Sequence, residues 1–414
     1  MRRATTVLTF LATGDPTGLK FTVEYGASRA LFDFGREHAP GRALFSLGLE
    51  PRPGRELDDL LAIGMAPRLE GLYRDWDGRT SVFISHLHLD HTFLVRYLDP
   101  AVPLYYPAAM EELRAACAGA GLVPWRTPAG IGIADRKTIG CGEIEVEFVA
   151  VDHDLPGATG FLIRTPDLSL AYTGDHRWHG LHPELTEGFA EAARGVDVLV
   201  QEAVSLAPRD AVAPEVAAAQ VERLTEAAVI ARFEELLGRA RALVVANLYP
   251  MNRERVSALG RACQKSGRML LMDPQAAVVA GWEEILGDPA AVAADPSRYC
   301  VALGFHSLPT LIDLRPPAGS IFIQSDGSPL GIWDPAWTVL LAWIQMFGLE
   351  LVHLASSGHS RSEDVVRMVR TVAPGLVLPV HTRAPEALEV PGIARLVPVP
   401  LQPYTAGQLR SLRA

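Results

Sequence analysis

Four side chains able to bind a metal ion fall within six residues, His86-Leu87-His88-Leu89-Asp90-His91. Alternation along an extended segment puts His86, His88 and Asp90 on one side. His91 follows as the chain turns into a helix expected over Thr92 to Leu98. Neutral imidazoles with one carboxylate and no thiolate suit zinc, or else manganese or iron, in a hydrolytic site. The preceding run Ser81-Val82-Phe83-Ile84-Ser85 is apolar and β-prone. The cluster therefore belongs at the carboxyl end of a buried strand, where α/β sheets bind their ligands.

Further candidates lie at the ends of other expected strands. His153 follows the strand ending at Val151, and taken alone it reads as a packing residue or as a ligand. Asp175, in Tyr172-Thr173-Gly174-Asp175-His176, reads as an ordinary turn or as a ligand. His381 ends Leu378-Pro379-Val380-His381. His359, in Ser356-Ser357-Gly358-His359-Ser360, follows a strand and is expected to open a helix. Free N–H groups at that helix start, beside Ser357 and Ser360, suit a phosphate, and the alternative is a plain capped loop. His176, His179 and His182 have the spacing of an exposed loop. Asp33, ending Leu31-Phe32-Asp33, is expected to support the metal site from behind the ligands. No GxSxG elbow, P-loop or clear GxGxxG occurs, which removes the common serine-hydrolase and nucleotide-fold readings.

These residues must be positioned by a chain of 414 residues, long enough for two or three domains or one domain with an insertion. A net charge of −10 argues against broad non-specific binding to nucleic acid, though it leaves room for a local basic groove. Four scattered cysteines without a CxxC pair fit a reducing, cytoplasmic setting. Met1 to Thr13 reads as a first strand rather than a signal peptide. Trp337 to Ala355 reads as a helix and a strand rather than a membrane span.

Strands are expected over Thr6 to Leu11, Lys20 to Glu24, Arg29 to Phe34, Ile144 to Val151, Gly160 to Arg164, Leu168 to Thr173 and Asp197 to Glu202. After a Pro-containing link (208–214), the pattern changes to alternating helices and strands. A helix over Glu215 to Leu237 opens this part, followed by a strand (Ala242 to Ala246), a helix (Asn252 to Ser266) and a strand (Met269 to Met272). Such alternation implies a small parallel sheet of its own. Asp288 to Ser297 reads as a second link. Strands over Glu350 to Ala355 and Leu376 to Val380 flank a helix over Ser362 to Thr371.

With these residues placed, the chain resembles the metallo-β-lactamase superfamily, whose signature is His-x-His-x-Asp-His. More narrowly it resembles the β-CASP nucleases, especially the ribonuclease J-like branch. The resemblance implies an α/β fold: a four-layer αβ/βα sandwich from residues 1–202 and 351–414, with 203–350 inserted as a β-CASP-like cap. It implies two zinc ions, one held by His86, His88 and His153, the other by Asp90, His91 and His381, with Asp175 bridging. Such a pair lowers the pKa of a bridging water and stabilises charge on the attacking and leaving oxygens. Glu202 matches the acidic residue that closes the lactamase-like part and supports the site from behind. His359 matches the inserted group's Ser-Gly-His motif and would stabilise charge or protonate the leaving oxygen. The implied activity is hydrolysis of single-stranded RNA by Asp90, Asp175 and His359 with the metals, and a homodimer is plausible. The alternative is a hydrolase of a small lactone, thioester or phosphodiester. Two departures bear on the substrate: Leu248-Tyr249-Pro250-Met251-Asn252-Arg253 and Asp273-Pro274-Gln275 stand where phosphate-binding turns are usual.

Overall fold

The computed structural model describes residues 4–14, 18–36, 44–45, 48–121, 130–206 and 224–413. Two seven-stranded sheets face each other. The first runs, edge to edge, Pro403–Thr405, Val7–Ala12, Lys20–Tyr25, Ser28–Phe32, Thr80–Phe83, Leu104–Pro107, Ile131–Ile133. The second runs Ala394–Arg395, Leu376–Val380, Val198–Glu202, Leu168–Tyr172, Thr159–Thr165, Ile144–Ala150, Thr138–Cys141. Helices cover the outer faces, Glu56–Ala62 and Glu111–Gly119 over the first sheet, Pro183–Ala192 and Ser362–Val372 over the second. This is the four-layer α/β sandwich.

An aromatic ladder fills the space between the sheets. Phe10, Phe21, Phe32, Phe83 and Tyr105 sit in register on five neighbouring strands of the first sheet. Their successive ring centroids are 5.4, 5.0, 5.4 and 5.2 Å apart. Phe148, Phe161 and Tyr172 form the matching row of the second sheet. Phe32 meets Phe161 at 5.3 Å and Phe21 meets the edge of Tyr172 at 5.1 Å. Aligned aromatics are the strongest cross-strand pairs, so the ladder fixes register in both sheets. A one-residue slip would turn every ring outward. The ladder is also the floor of the site, since Phe83 lies two residues before Ser85 and the Tyr172 hydroxyl reaches Asp33.

The chain leaves this sandwich after Glu202 and has re-entered it by the helix Ser362–Val372; the strands on either side pair in parallel, Val198↔Leu376 through Glu202↔Val380. Between them lies a third, all-parallel sheet: Met269–Met272, Tyr299–Ala302, Val244–Leu248, Ile321–Ser325, Glu350–His353. Apolar clusters cover both its faces, as an all-parallel sheet requires. Glu350–His353 pairs with Ile321–Gln324. The boundary expected between 350 and 351 therefore falls inside a strand of the third sheet and moves past residue 353.

Other expectations shift as well. Of the helix expected over 215–237, Glu226–Arg239 is helical, capped by Thr225, whose hydroxyl accepts from Ala228 N. The link at 208–214 and the start of that helix lie outside the described residues. The second link holds a short helix, Pro289–Ala294, capped by the Asp288 carboxylate; Asp-Pro at its start was a helix signal rather than a loop signal. Among the described residues no helix is long and apolar enough to cross a membrane.

Candidate metal centre

The six-residue motif divides between two conformations. His86 and His88 follow the strand Thr80–Phe83, and His88 is the extended residue before a helical turn, Leu89–Thr92. Asp90 lies on that turn with His91, not on the extended segment expected from alternation. The break at His88 sends the first two donors one way and the last two another.

Donor atoms from across the fold converge on each pair. His88 Nδ1 is 3.0 Å from His86 Nε2 and 3.3 Å from His153 Nε2. His381 Nε2 is 3.1 Å from Asp90 Oδ2 and 3.3 Å from His91 Nε2. Asp175 Oδ2 stands between the groups, 3.5 Å from His86 Nε2, 3.3 Å from His91 Nε2 and 3.7 Å from His381 Nε2. His86, His88, His153 and Asp175 form one metal-compatible cluster, and Asp90, His91 and His381 another. All seven sequence-selected ligand candidates are thus brought together, at the carboxyl ends of strands from both sheets. His381 adopts φ 55°, a left-handed conformation uncommon outside glycine, anchored by its N–H to Thr13 O at 2.8 Å.

The outer imidazole nitrogens are also held. His86 Nδ1–H donates to Ser85 Oγ at 2.9 Å, and that hydroxyl donates to Asp33 Oδ2 at 2.8 Å. His91 Nδ1–H donates to Asp33 Oδ2 at 2.8 Å, and Tyr172 OH to the same oxygen at 2.6 Å. His153 Nδ1–H donates to Gly358 O at 2.6 Å. These bonds hold the rings so that the Nε2 atoms of His86, His91 and His153 face the clusters. Asp33 sits behind the ligands, as its place after the strand suggested.

The donor set fits divalent metal ions. Both Asp175 carboxylate oxygens are buried without a hydrogen-bond partner, and so is His381 Nδ1. Burial alone would neutralise Asp175, but His381, His91 and His359 hold it well below the usual carboxylate range. Burial drives His86 far below the ordinary imidazole value and His153 down to about 4. For His91, burial is outweighed by Asp175, Asp90 and Asp33, which push it well up. Ionised carboxylates facing a proton-retaining imidazole mark a pocket built around positive charge, and N/O donors without sulfur suit zinc, manganese or iron.

The Ser356-Ser357-Gly358-His359-Ser360 turn supplies the next layer. His359 Nδ1 lies 3.7 Å from Asp175 Oδ2 and 3.8 Å from Glu202 Oε2. Burial lowers its proton affinity, but Asp175 and Glu202 more than compensate and push it up to about 9. His359 does not open the helix, which starts at Ser362. Nor is Ser360 available to a phosphate. Its hydroxyl donates to His176 O at 3.0 Å and accepts from His176 Nδ1–H at 2.8 Å, while its N–H faces Glu202 Oε1 at 3.4 Å. Ser357 is exposed, but its Oγ accepts from His359 N at 3.0 Å.

Two of the three loop histidines are also not exposed. His176 is fully buried, accepting from Gln201 Nε2 at 3.0 Å, and His179 is buried, donating to Ser357 O at 3.0 Å; only His182 reaches solvent. The Gly-Asp turn runs inward to place Asp175, so the residues after it are carried inside, His176 against Gln201 and Ser360 and His179 against Ser357.

Two groups were not singled out from sequence. Asp154 Oδ1 is buried, 3.3 Å from His153 Nε2 and 3.4 Å from His88 Nε2. Its position directly after a ligand was the available signal. Tyr249, from the inserted segment, places its ring 5.7 Å from that of His88. No local pattern in Leu248-Tyr249-Pro250 pointed to this, because the contact depends on how the inserted sheet docks.

Residues 59–240 match the family model of the beta-lactamase superfamily domain. Ribonuclease J 1 of Streptococcus pyogenes is 22% identical over 362 residues, covering 78% of this chain and 62% of that protein. This chain thus spans less than two thirds of the length of that relative. A crystal structure of a protein of unknown function from Enterococcus faecalis V583 is similar at TM-score 0.82 and 29% identity, over 97% of this chain and 100% of the other.

Proposed function

This chain carries a metallo-β-lactamase superfamily domain and is ribonuclease J-like in sequence, and from that premise we propose that it hydrolyses phosphodiester bonds in single-stranded RNA. The observation that carries the reading is His359, delivered from the far end of the inserted segment to within 3.7 Å of Asp175, beside seven converged metal-type donors. His86, His88 and His153 would hold one divalent ion, Asp90, His91 and His381 the other, with Asp175 between them. Bound there, the ions would supply a hydroxide at neutral pH and neutralise charge on the reacting oxygens.

The chain's own groups orient and protonate. His359 turns Nδ1 toward Glu202 and Asp175, so a proton on Nε2 is the one free to meet a leaving oxygen or developing negative charge. Glu202, fully buried, also accepts from Val204 N at 3.1 Å, which holds the carboxylate in place behind His359.

A second reading, a hydrolase of a small lactone, thioester or phosphodiester, is favoured by Asp154 and Tyr249. A carboxylate held down at about 2 beside His153 and His88 repels a polyanion, and a half-buried tyrosine beside His88 narrows access. The test is cleavage of a 5′-labelled, 5′-monophosphorylated single-stranded RNA by zinc-loaded protein, with the Asp90→Ala/His91→Ala double variant as control. Cleavage absent from the control supports the ribonuclease, and the product ladder gives its polarity. No cleavage by metal-replete wild type discards it in favour of the small-molecule reading.

A further inference from the structure

The His359 turn does not hold its own shape. Between Ser356 and Ser360, its recorded backbone hydrogen bonds run mostly to groups outside it. Ser356 N donates to Asp326 Oδ2 at 3.1 Å, and Ser356 O accepts from Arg255 Nη2 at 3.0 Å. Ser357 O accepts from His179 Nε2 at 3.0 Å and faces Arg177 Nη1 at 3.4 Å. Gly358 O accepts from His153, and Ser360 N faces Glu202.

Four of these outside groups belong to, or are joined by, one buried ion network. Glu226 Oε1 accepts from Arg255 Nε at 2.7 Å, and its Oε2 accepts from Arg255 Nη2 at 2.7 Å and from Arg177 Nη1 at 3.0 Å. Arg255 also pairs with Asp326. The side chains of Arg177, Arg255 and Glu226 are at most 1% exposed. Arg177 Nε also faces Asp152 Oδ1 at 3.6 Å, so two cations meet three carboxylates, and further guanidinium contacts reach the carbonyls of residues 356 and 357.

The members come from both parts of the molecule. Arg177 and His179 lie on the loop that begins with Asp175. Glu226 opens the helix Glu226–Arg239, Arg255 lies on the helix Arg253–Lys265, and Asp326 follows the strand Ile321–Ser325 of the third sheet. Glu226 N also donates to His179 O at 2.9 Å. A shift of the inserted segment relative to the Asp175 loop must therefore break this network or drag the His359 turn with it.

We propose that Arg255, with Glu226, Asp326 and Arg177, is a positioning device that sets the His359 turn against the metal-ligand cluster and ties its placement to the docking of the inserted segment. Uniform stabilisation is not what such a network is best at, because buried ion pairs recover little more than their desolvation cost. Fixing one backbone geometry is a role that fork-shaped guanidinium donors perform well. The inference rests on His359 being the group that meets substrate.

The test uses the full zinc-loaded chain carrying Arg255→Lys, which keeps the charge but cannot reach Glu226, Asp326 and Ser356 O together. Asp326→Asn is the second variant should the first fail to fold. Hydrogen–deuterium exchange is followed in peptides covering Ser356–Ser360 and, as an internal reference, the strand Leu376–Val380. The expected result is exchange about tenfold faster in the turn with the reference strand unchanged. On RNA, kcat is expected to fall about 100-fold, the cost of a misplacement near 1 Å, with KM held. An unchanged turn, or equal acceleration in turn and reference strand, overturns the proposal by assigning the network to global stability alone. Unchanged kcat in an active enzyme overturns it as well. If wild type cleaves no RNA, the ribonuclease reading fails on its own and the exchange measurement still decides this one.

Discussion

Gly358→Ala is the smallest change that tests whether the inserted segment's turn and the metal ligands form one unit. A Cβ built at Gly358 lies 2.7 Å from His153 Cε1 and 2.8 Å from both Cγ and Oδ2 of Asp154. Gly358 is not in the left-handed region, so the effect is steric rather than conformational. Relieving the contact to the 3.4 Å of ordinary packing moves the turn or the His153 ring by about 0.7 Å. That displacement acts on the 2.6 Å bond from His153 Nδ1 to Gly358 O and stretches it to the edge of hydrogen bonding. Overpacking of this kind costs about 1–3 kcal/mol in stability. The larger consequence falls on the site: losing the bond that orients a ligand imidazole lowers metal affinity by about 10- to 100-fold. Competition for zinc with a chromogenic chelator, read alongside thermal melting, separates the two effects. The expected result is a first zinc equivalent weakened by at least an order of magnitude and a second left near wild type. Wild-type affinity for both would mean that the turn slides freely past His153 and that the coupling argument is wrong.

Asp33→Asn keeps the backbone, since asparagine tolerates the φ of 52° seen there, but leaves one acceptor oxygen for donors now shared between two. His91 loses its fixed orientation, and the Asp90–His91–His381 position is expected to bind zinc about 10- to 100-fold more weakly; unchanged affinity in the same competition would sink this. Burial pushes Asp152 up to about 6, against 3.8 for a free carboxyl. The unfolded chain therefore ionises first, and wild type loses stability as pH rises from about 4 to about 6, by up to about 3 kcal/mol. Asp152→Asn is expected to melt higher than wild type at pH 7 and not at pH 4, and an equal difference at both would refute the assignment. Removing metal leaves Asp90 and Asp175 compensated by neighbouring imidazoles alone, so the chelated protein should unfold more easily. Zinc at 1,000 times its Kd restores about 4 kcal/mol, and denaturant midpoints that coincide with and without zinc would refute the fit of the site.

What the sequence disclosed and what it hid divide along a physical line. His86, His88, Asp90, His91, His153, Asp175 and His381 were legible because each is a donor placed where an apolar β-prone run ends, and strand ends in such sheets open onto one crevice. The strands themselves were legible from β-branched and aromatic runs bounded by glycine and proline. The buried network was not. Arg177, Glu226, Arg255 and Asp326 are charged residues whose local pattern reads as solvated surface, and burial occurs only once four separate elements meet around Ser356 and Ser357. His176 and His179 failed for a related reason: a turn after Gly-Asp is exposed by default, whereas here Gln201 and Ser360 hold His176, and Ser357 and Glu226 hold His179. Ser360 was misjudged because a serine near a helix start is usually a cap, whereas here its hydroxyl is spent on His176.

The inserted segment brings Tyr249 to within 5.7 Å of the His88 ring and so walls one side of the donor clusters. It is pinned over the helix Glu111–Gly119 by Arg253, which pairs with Glu112 at 2.6 Å and donates to Val279 O at 2.9 Å, and by Gln275, which donates to Ala120 O at 2.9 Å. The unusual Asp273-Pro274-Gln275 turn is occupied as a helix cap, its carboxylate accepting from Gln275 N at 3.0 Å and from Ser307 Oγ at 2.6 Å. Asn252 is likewise engaged, its side chain capping the helix Arg253–Lys265. Among the described residues, neither turn leaves a cluster of free donors for a phosphate backbone. On the reading proposed above, His359 and the ions held by the donor clusters would compensate charge on a bound phosphate. Asp154, 3.3 Å from His153 Nε2 and held down to about 2, would on the same reading discriminate against a second anionic group beside it.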